Sequence, residues 1–212
     1  MSINNEHWYD GWFYDMWIAP NQDRLFGQIK ELIERNSRVI DVGCGTGRLA
    51  FALADKCESV LGIDLSKRNI ERSNVNLTRR PHPGIAFEHT SVNAIFSNRN
   101  ERFDYAIVSY VLHEVAENDR AQLLQDISQV ADRIIIGDYL VPRPTGFWSS
   151  LNDVVEFVAG REHYNNFRSF VAMGGIHGLI EGMPLKLLQE ITNSPQTSHL
   201  VLLQVNQAAR VA

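Results

Sequence analysis

Three alternating glycines carry the clearest chemical information in the sequence. Gly43, Gly45 and Gly47 directly follow a short apolar run, residues 38–42, which contains one acid, Asp41. Alternating glycines let the backbone turn sharply and let a ligand approach it without an intervening Cβ, and a following helix would offer free N–H groups to an anion. An ordinary strand-to-helix turn needs fewer glycines. The spacing therefore favours a ligand-binding turn.

A second carboxylate stands at a useful distance from this turn. Asp64 ends the next apolar run, residues 60–64. An acid at the end of a second parallel strand accepts hydrogen bonds from ribose hydroxyls in nucleoside cofactor sites, although Asp64 is also placed to cap a helix beginning near Ser66. A dinucleotide fingerprint would require glycine at position 48, and this sequence has Arg48 there.

The elements that must position these residues alternate between strands and helices. Such alternation implies βαβ crossovers and a doubly wound, mostly parallel sheet, in which ligands bind beyond the carboxyl ends of the strands. Between a helical stretch over 147–157 and Gly182 we predict an irregular segment. Apolar spacing predicts helices over 21–35, 49–54, 66–77 and 118–131 and strands over 38–42, 60–64, 85–89, 105–112, 134–139, 185–191 and 200–205.

The segment from Asp41 to Gly47 resembles motif I of the class I S-adenosylmethionine-dependent methyltransferases, in which an acid precedes a G-x-G-x-G turn. The resemblance spans residues 36–140 in its motifs and the whole chain in element order. It implies an α/β, Rossmann-like fold: a doubly wound, mostly parallel seven-stranded sheet with an antiparallel last strand. One domain would cover residues 1–212, with a helical cap over 1–35 and a substrate cover over 142–182.

The resemblance also assigns cofactor contacts. In this family the turn bears the methionine part of S-adenosylmethionine, the acid after the second strand holds the ribose, and a polar residue after the third strand holds adenine. Asn93 departs from the commoner aspartate at the adenine position, but its amide oxygen still accepts a hydrogen bond from the adenine amino group. The expected cofactor contacts are Tyr14, Asp41, Gly43, Cys44, Gly45, Gly47, Asp64, Leu65, Asn93, Ala94 and Ser109.

Tyr14 belongs to an aromatic N-terminal segment that has two interpretations. On a helix, Trp8, Trp12 and Met16 would line one face, a pattern typical of core packing. The same segment would alternatively form a lid over the cofactor, where an aromatic face attracts the sulfonium charge.

The acceptor side of the site is expected at the ends of the fourth and fifth strands. Methyl transfer from a sulfonium needs alignment more than side-chain chemistry, so few catalytic residues are expected. His113 is our first candidate for a base or for orienting the substrate, because an unperturbed histidine titrates near neutrality. A histidine satisfied at the start of a loop is an equally simple interpretation. Weaker candidates are Tyr110, Glu114, Asp138, Tyr139, His163, Tyr164 and His177.

Composition limits the function classes. The chain has 212 residues, a net charge of −5 and no basic stripe, so we expect no nucleic-acid partner. The fourth strand ends without an Asn/Asp-Pro-Pro-Tyr motif, which leaves a small-molecule acceptor as the leading interpretation. Neither an apolar run long enough for a membrane span nor a signal-peptide pattern occurs, so a cytoplasmic location is expected. Cys44 and Cys57 lie in no Cys/His cluster, and no metal site is predicted.

Three other functions remain open at this point. They are a methyltransferase acting on protein or tRNA, an NAD-type oxidoreductase, and a non-catalytic protein that binds S-adenosylmethionine. The leading prediction is methyl transfer from S-adenosylmethionine to an O, N or C nucleophile of a small molecule, with S-adenosylhomocysteine as product.

Overall fold

The structure, a computed structural model, describes residues 19–99, 101–144, 156–157, 160–193 and 196–206. Its helices are α1 (Ala19–Leu32), α2 (Arg48–Leu53), α3 (Lys67–Arg79), α4 (Val92–Arg99), α5 (Glu117–Val130), α6 (Arg161–Ala172) and α7 (Gly175–Ile180). Its strands are β1 (Arg38–Val42), β2 (Ser59–Asp64), β3 (Ile85–His89), β4 (Phe103–Ser109), β5 (Ala131–Tyr139), β6 (Leu185–Thr192) and β7 (Ser198–Val205).

The strands form one seven-stranded sheet in the order β3-β2-β1-β4-β5-β7-β6. The pairs among β1 to β5 are parallel, whereas β7 runs antiparallel to both β5 and β6. The predicted doubly wound, mostly parallel sheet with an antiparallel last strand is therefore confirmed.

The central strands are apolar on both faces because helices cover both. In β5, Ile134 and Ile136 pack in one core cluster while Ile135, between them, packs in the other. Such strands read as continuous β-branched runs rather than as alternating patterns, which is why sequence located them well. Helices α1, α2 and α3 lie on one side of the sheet, and α4, α5 and α7 lie on the other.

The order in which strands are added to the sheet reverses between β1 and β4, which are parallel neighbours although two strands separate them in sequence. From this point one half of the sheet continues to β2 and the other to β5. The diverging connections leave a crevice beyond the carboxyl ends of β1 and β4. The glycine turn and the segment carrying His113 both start there.

Several element boundaries differ from the prediction. The stretch predicted as irregular up to Gly182 contains α6 and α7; α6 has a polar sequence, and only Phe167 and Phe170 mark its buried face. Helix α4 was missed for a similar reason, because Val92 and Ile95 are its only buried residues with described side chains. Strand β4 ends at Ser109, three residues earlier than predicted.

The segment 1–18, including Tyr14 and the aromatic face around Trp12, lies outside the described residues, as does most of 147–157. Among the helices that are described, none combines the length and the apolar character needed to cross a membrane.

Candidate active site

The glycine turn joins β1 to α2, and all three of its glycines have left-handed backbone conformations. Gly43, Gly45 and Gly47 have φ values of 73°, 55° and 84°. Two of them also lack room for a side chain: a Cβ on Gly43 would lie 2.5 Å from Val111 Cγ2, and one on Gly47 would lie 2.4 Å from the Phe87 ring. A Cβ on Gly45 would meet nothing within 4 Å. Gly45 therefore faces open space.

Most amides of the turn are used inside the protein. The N–H groups of Gly43 and Cys44 donate to the Ile63 carbonyl, at 2.8 and 3.0 Å. The Gly45 N–H donates to Asp64 Oδ2 at 2.9 Å, and the Gly47 N–H donates to the Cys44 carbonyl at 3.0 Å. These four amides precede α2, whose N–H groups are the ones expected to be free, and they are not available to a ligand. The turn provides shape and an open backbone surface rather than a set of vacant donors.

Asp41 lies beneath this turn with its carboxylate buried. Its residue is 1 % exposed, and Oδ2 has no hydrogen-bond partner among the described residues. Burial, with a contribution from the Asp64 charge, raises the pKa of Asp41 to about 7. A buried acid without a donor or a counter-charge is costly. A positively charged ligand in the crevice would supply both.

Asp64, for which the sequence allows a ribose contact or a helix cap, is hydrogen-bonded both to the glycine turn and to the start of α3. Its Oδ1 accepts a hydrogen bond from the Ser66 N–H at 2.7 Å, and its Oδ2 accepts one from the Asn69 side chain at 3.3 Å in addition to the Gly45 amide. Ser66 caps α3 as predicted. The carboxylate therefore ties the glycine turn to the start of α3. It retains acceptor capacity, because two oxygens offer about four lone pairs.

The acceptor side of the crevice is built around a buried histidine. His113 Nδ1 lies 2.7 Å from Asp138 Oδ1, and the His113 backbone N–H donates to Asp138 Oδ2 at 3.3 Å. Both residues are at most 3 % exposed. The Tyr139 N–H also donates to Asp138 Oδ1, at 2.8 Å. These contacts fix the orientation of the imidazole and leave its Nε2 facing the crevice.

The electrostatics of His113 differ from the expectation. Burial alone lowers the pKa of His113, but the carboxylates of Asp138, Glu156 and Glu114 outweigh it and raise this pKa to about 9. The histidine does not titrate near neutrality, because three acids surround it. The hypothesis of a base poised at neutral pH is therefore wrong for the protein without ligands.

A second layer of polar groups closes the pocket opposite His113. Tyr139 Oη donates to Glu156 Oε1 at 2.6 Å, and His163 Nε2 lies 2.6 Å from Glu156 Oε2. Burial first, and then the Glu156 charge, raises the pKa of Tyr139 well above its usual range, so this phenol stays a donor. The rings of Tyr110 and Tyr139 pack edge to face, 5.9 Å apart. Acceptor-side residues from four segments thus meet at one place.

Comparison with known proteins agrees with this geometry. Residues 39–133 match the family model of a methyltransferase domain. The chain is 34 % identical over 110 residues to a ubiquinone biosynthesis O-methyltransferase of Paracidovorax citrulli, a stretch that covers 52 % of this chain and 38 % of that relative. The stretch 39–133 is therefore similar to methyltransferase domains.

Two further matches show that this chain is similar to methyltransferases of different kinds. A tRNA1(Val) (adenine(37)-N6)-methyltransferase of Bacteroides fragilis is 31 % identical over 75 residues, covering 34 % of this chain and 31 % of that protein. The crystal structure of N-methyltransferase NodS from Bradyrhizobium japonicum WM9 with S-adenosyl-L-homocysteine superposes with a TM-score of 0.64 at 16 % identity, covering 93 % of each chain. That similarity concerns the fold. The matched curated relatives are longer: the shared stretch spans about two fifths of the P. citrulli protein.

The other residues expected to contact the cofactor lie in different surroundings. Leu65 is 77 % exposed beside Asp64, with its carbonyl 2.9 Å from His89 Nε2. Asn93 is exposed in the first turn of α4 and accepts a hydrogen bond from Ser97 Oγ at 3.0 Å. Ala94 follows it in α4, Ser109 ends β4 at the crevice, and Tyr14 is outside the described residues.

Cys44 fills a structural position in the turn. Its thiol is buried, and burial raises its pKa above the usual range. A buried thiol with a raised pKa is unreactive. The backbone N–H of Cys44 already donates to the Ile63 carbonyl, so a ligand cannot use it. We therefore assign Cys44 no chemical role in this site.

Sequence reasoning missed Arg120, the largest fully buried side chain in the described structure. Its guanidinium donates to the carbonyls of Leu112 and Val115, both at 3.0 Å, and to the carbonyl of Asn166 and the hydroxyl of Ser169, at 2.5 and 2.8 Å. It therefore clamps the loop that carries His113 onto α6, which carries His163. A buried arginine leaves no periodic pattern in a sequence.

A groove of about 270 Å³ also lies among the described residues, at the opposite edge of the sheet. Glu34, Asp104, Arg133 and Gln204 line it, near the amino ends of β4 and β5. In sheets of this type ligands bind at the carboxyl ends, so we do not assign the groove to the active site.

Gly47→Ala is expected to lower the free energy of unfolding by about 2 kcal/mol. The left-handed φ costs an L-residue about 1–2 kcal/mol, and the new methyl would collide with the Phe87 ring. Gly27→Ala, in α1 with no atom within 4 Å of the new Cβ, should instead stabilise by about 0.5–1 kcal/mol. Urea unfolding of both variants measures the difference, and equal midpoints would contradict the geometry assigned to the turn.

Proposed function

We propose that the chain transfers a methyl group from S-adenosylmethionine to a small-molecule acceptor, leaving S-adenosylhomocysteine. The observation that carries this proposal is the buried Asp41 carboxylate on the strand leading into the open glycine turn, whose Oδ2 has no hydrogen-bond partner in the part of the chain that the structure describes. Of the cofactors that adopt this turn, S-adenosylmethionine brings positive charge, on its sulfonium and its amino group. NAD brings a pyrophosphate, which a buried acid repels.

The residues present fit the proposed cofactor along its whole length. Asp41 supplies an acceptor for its cationic end, and Gly45 leaves space where any side chain would intrude. Asp64 keeps lone pairs for ribose hydroxyls, and the exposed Leu65 offers an apolar surface for the adenine ring. When bound, the cofactor supplies a methyl group already activated by its positively charged sulfur.

The protein's own contribution is then to align the acceptor and to exclude water. We propose His113 as the side chain that contacts the acceptor, because Asp138 holds the ring rigidly and its Nε2 faces the crevice. Val111, two residues before it, packs against Gly43 of the turn, so the two halves of the site are adjacent.

Charge favours a small acceptor over nucleic acid. Glu114, Asp138 and Glu156 place three carboxylates on the acceptor side, and the chain carries a net charge of −5. A phosphate backbone would be repelled there, whereas RNA-binding surfaces are basic. The ubiquinone biosynthesis O-methyltransferase relatives support a small hydroxylated acceptor; the relatives named as RNA methyltransferases keep RNA as the second class to be tested.

The decisive experiment is calorimetric titration with S-adenosylhomocysteine and, separately, NAD. We expect saturable binding of the first and no heat with the second. Gly45→Ala should still fold, because its Cβ meets no protein atom and its left-handed φ costs an L-residue only about 1–2 kcal/mol. It should bind at least tenfold more weakly because the methyl occupies ligand space. Gly27→Ala is the control and should bind normally. Absence of heat with both S-adenosylmethionine and its product would overturn the proposal, as would unchanged affinity in Gly45→Ala.

Binding alone does not distinguish an enzyme from a cofactor-binding protein. Methyl-labelled S-adenosylmethionine incubated with a pool of hydroxylated and amino metabolites, and with total RNA in a parallel reaction, makes that distinction. We expect label in the small-molecule fraction. Label confined to RNA would reject the acceptor class, and no label in either fraction would favour a non-catalytic protein.

A further inference from the structure

Four side chains that could ligate a metal ion meet on the acceptor side of the crevice. His113 Nε2 lies 3.8 Å from Glu114 Oε1 and 3.7 Å from Glu156 Oε1. His163 Nε2 lies 3.9 Å from Glu114 Oε1 and 2.6 Å from Glu156 Oε2. His113, Glu114 and His163 each offer a nitrogen or oxygen atom within 4.8 Å of the others. Two imidazoles and the Glu114 carboxylate therefore lie within reach of one ion, and Glu156 contacts each imidazole through a different oxygen.

The ligand side chains are held from behind. Asp138 accepts from the His113 backbone and from the Tyr139 N–H, and lies 2.7 Å from His113 Nδ1, so it orients the ring and leaves Nε2 as the ligand atom. Tyr139 donates to Glu156 Oε1 and orients that carboxylate in the same way. Histidine ligands of metals are commonly supported by such a carboxylate, and ligating carboxylates by such donors.

Glu156 is buried beside both imidazoles and is incompletely hydrogen-bonded. The residue is 3 % exposed, and its Oε2 accepts no well-aligned hydrogen bond among the described residues. The nearest group to this oxygen is His163 Nε2, at 2.6 Å; burial raises the pKa of Glu156, but this contact and the His113 charge outweigh it and lower the pKa. A cation between Glu156 and the two imidazoles would give the oxygen the aligned partner that it lacks.

The spacing and charge suit one small divalent ion. Bonds of about 2.1 Å in a tetrahedron put ligand atoms roughly 3.4 Å apart, close to three of the four separations. The contact between Glu156 and His163 would have to open by about 0.8 Å on that geometry. Asp138, Glu114 and Glu156 also bring more negative charge than two histidines can neutralise. Glu114 is exposed and leaves a path from solvent.

We propose that His113, Glu114, Glu156 and His163 bind one divalent cation of the zinc type beside the methyl-donor turn. Mixed imidazole and carboxylate ligation suits Zn²⁺ and its transition-metal neighbours more than Mg²⁺, which prefers oxygen ligands and water. The sequence alone predicts no metal site, because the proposed ligands do not form a short motif. His113 and Glu114 are separated from Glu156 and His163 by more than forty positions. The fold assembles them.

The role of the cation rests on the proposed function. With His113 Nε2 bound to it, the cation would contact the acceptor in place of the imidazole. It would take the oxygen of an acceptor hydroxyl as an additional ligand and favour release of the hydroxyl proton to solvent. The oxygen then forms its bond to the methyl carbon as the sulfur–methyl bond breaks, which converts the sulfonium to a neutral thioether. The acceptor class that this site selects is therefore an alcohol or a phenol rather than an amine.

The test uses the full chain stripped with a chelator and titrated calorimetrically with Zn²⁺, then with Co²⁺ while visible absorption is recorded. We expect one equivalent to bind and Co²⁺ to give the bands of a low-coordinate nitrogen and oxygen site. His163→Gln should lower the affinity for Zn²⁺ at least tenfold. His177→Gln is the matched control, because His177 belongs to a separate cluster with Glu190 and His199.

Each outcome decides the proposal. No Zn²⁺ binding, unchanged affinity in His163→Gln, or loss in His177→Gln alone would overturn it. Circular dichroism and S-adenosylhomocysteine binding are measured on every variant, so a folding defect is recognised. Intact S-adenosylhomocysteine binding without Zn²⁺ binding rejects the cation site alone, whereas failure to bind S-adenosylhomocysteine rejects the proposed function and leaves Zn²⁺ binding to be judged separately.

Discussion

Asp41→Asn is expected to weaken S-adenosylhomocysteine and S-adenosylmethionine binding by roughly 100-fold while making the ligand-free protein more stable at alkaline pH. The affinity loss follows from removing a charged acceptor inside the site, worth about 1.5–3 kcal/mol. Calorimetric titration of both ligands into the variant measures it. Stability moves in the other direction because the native acid is buried without a partner.

The pH dependence of that stability has a definite sign. The pKa of Asp41 is raised from 3.8 to about 7 in the folded protein, so the native state holds this proton more tightly than the unfolded chain. The resulting penalty is absent below pH 4, grows as the pH rises, and reaches about 4 kcal/mol above pH 7. Between pH 5 and pH 8 the free energy of unfolding of the wild-type protein should fall by about 3 kcal/mol, whereas that of Asp41→Asn should not show this fall.

Thermal unfolding of the ligand-free proteins at pH 5 and pH 8 measures this difference. Asp126→Asn, which removes a carboxylate from the surface of α5, should follow the wild-type curve. Parallel curves for wild type and Asp41→Asn would mean that Asp41 is ionised and compensated in the free protein. The proposed binding role of its unpartnered oxygen would then be lost as well.

The half of the site around Asp41 was predictable because its residues lie next to one another in the sequence. An acid, three glycines and a helix start occupy consecutive positions, and each has a backbone or burial reason that a sequence displays. The strands were predictable for the same reason, since β-branched runs mark strands covered on both faces. What the sequence could not show was that the turn's own amides are consumed by Ile63 and Asp64.

The acceptor half of the site was only partly predictable because its residues are far apart in the sequence and meet only in the folded chain. His113 was selected for its ordinary titration range, yet its pKa is set by Asp138 and Glu156, which are distant in sequence. Glu156 was not selected at all. His163 was a weak candidate because α6 was predicted as irregular, and a helix places it beside Glu156. Tertiary packing, rather than local pattern, assembled this half.

Arg120→Met is expected to lower the free energy of unfolding by about 3 kcal/mol, or the melting temperature by roughly 10 °C. Methionine preserves much of the apolar contact with the Phe170 ring but none of the hydrogen bonds. Four buried or part-buried acceptors, the carbonyls of Leu112, Val115 and Asn166 and the Ser169 hydroxyl, would lose the guanidinium donor, and among the described residues only the Asn166 carbonyl keeps another, from Ser169. Urea unfolding monitored by far-ultraviolet circular dichroism gives the loss directly.

The same substitution separates the two halves of the site. Arg120 joins the loop bearing His113 to α6 and touches neither the glycine turn nor Asp41, so S-adenosylhomocysteine should bind within a few-fold of wild type below the melting range. Methyl transfer should fall at least tenfold, because His113 and His163 would no longer be held in register. Arg168→Met, on the exposed side of α6, controls for loss of positive charge and should change neither quantity. Wild-type turnover in a destabilised Arg120→Met would mean that the acceptor side does not depend on the position of α6, and His163 would then have no part in the reaction.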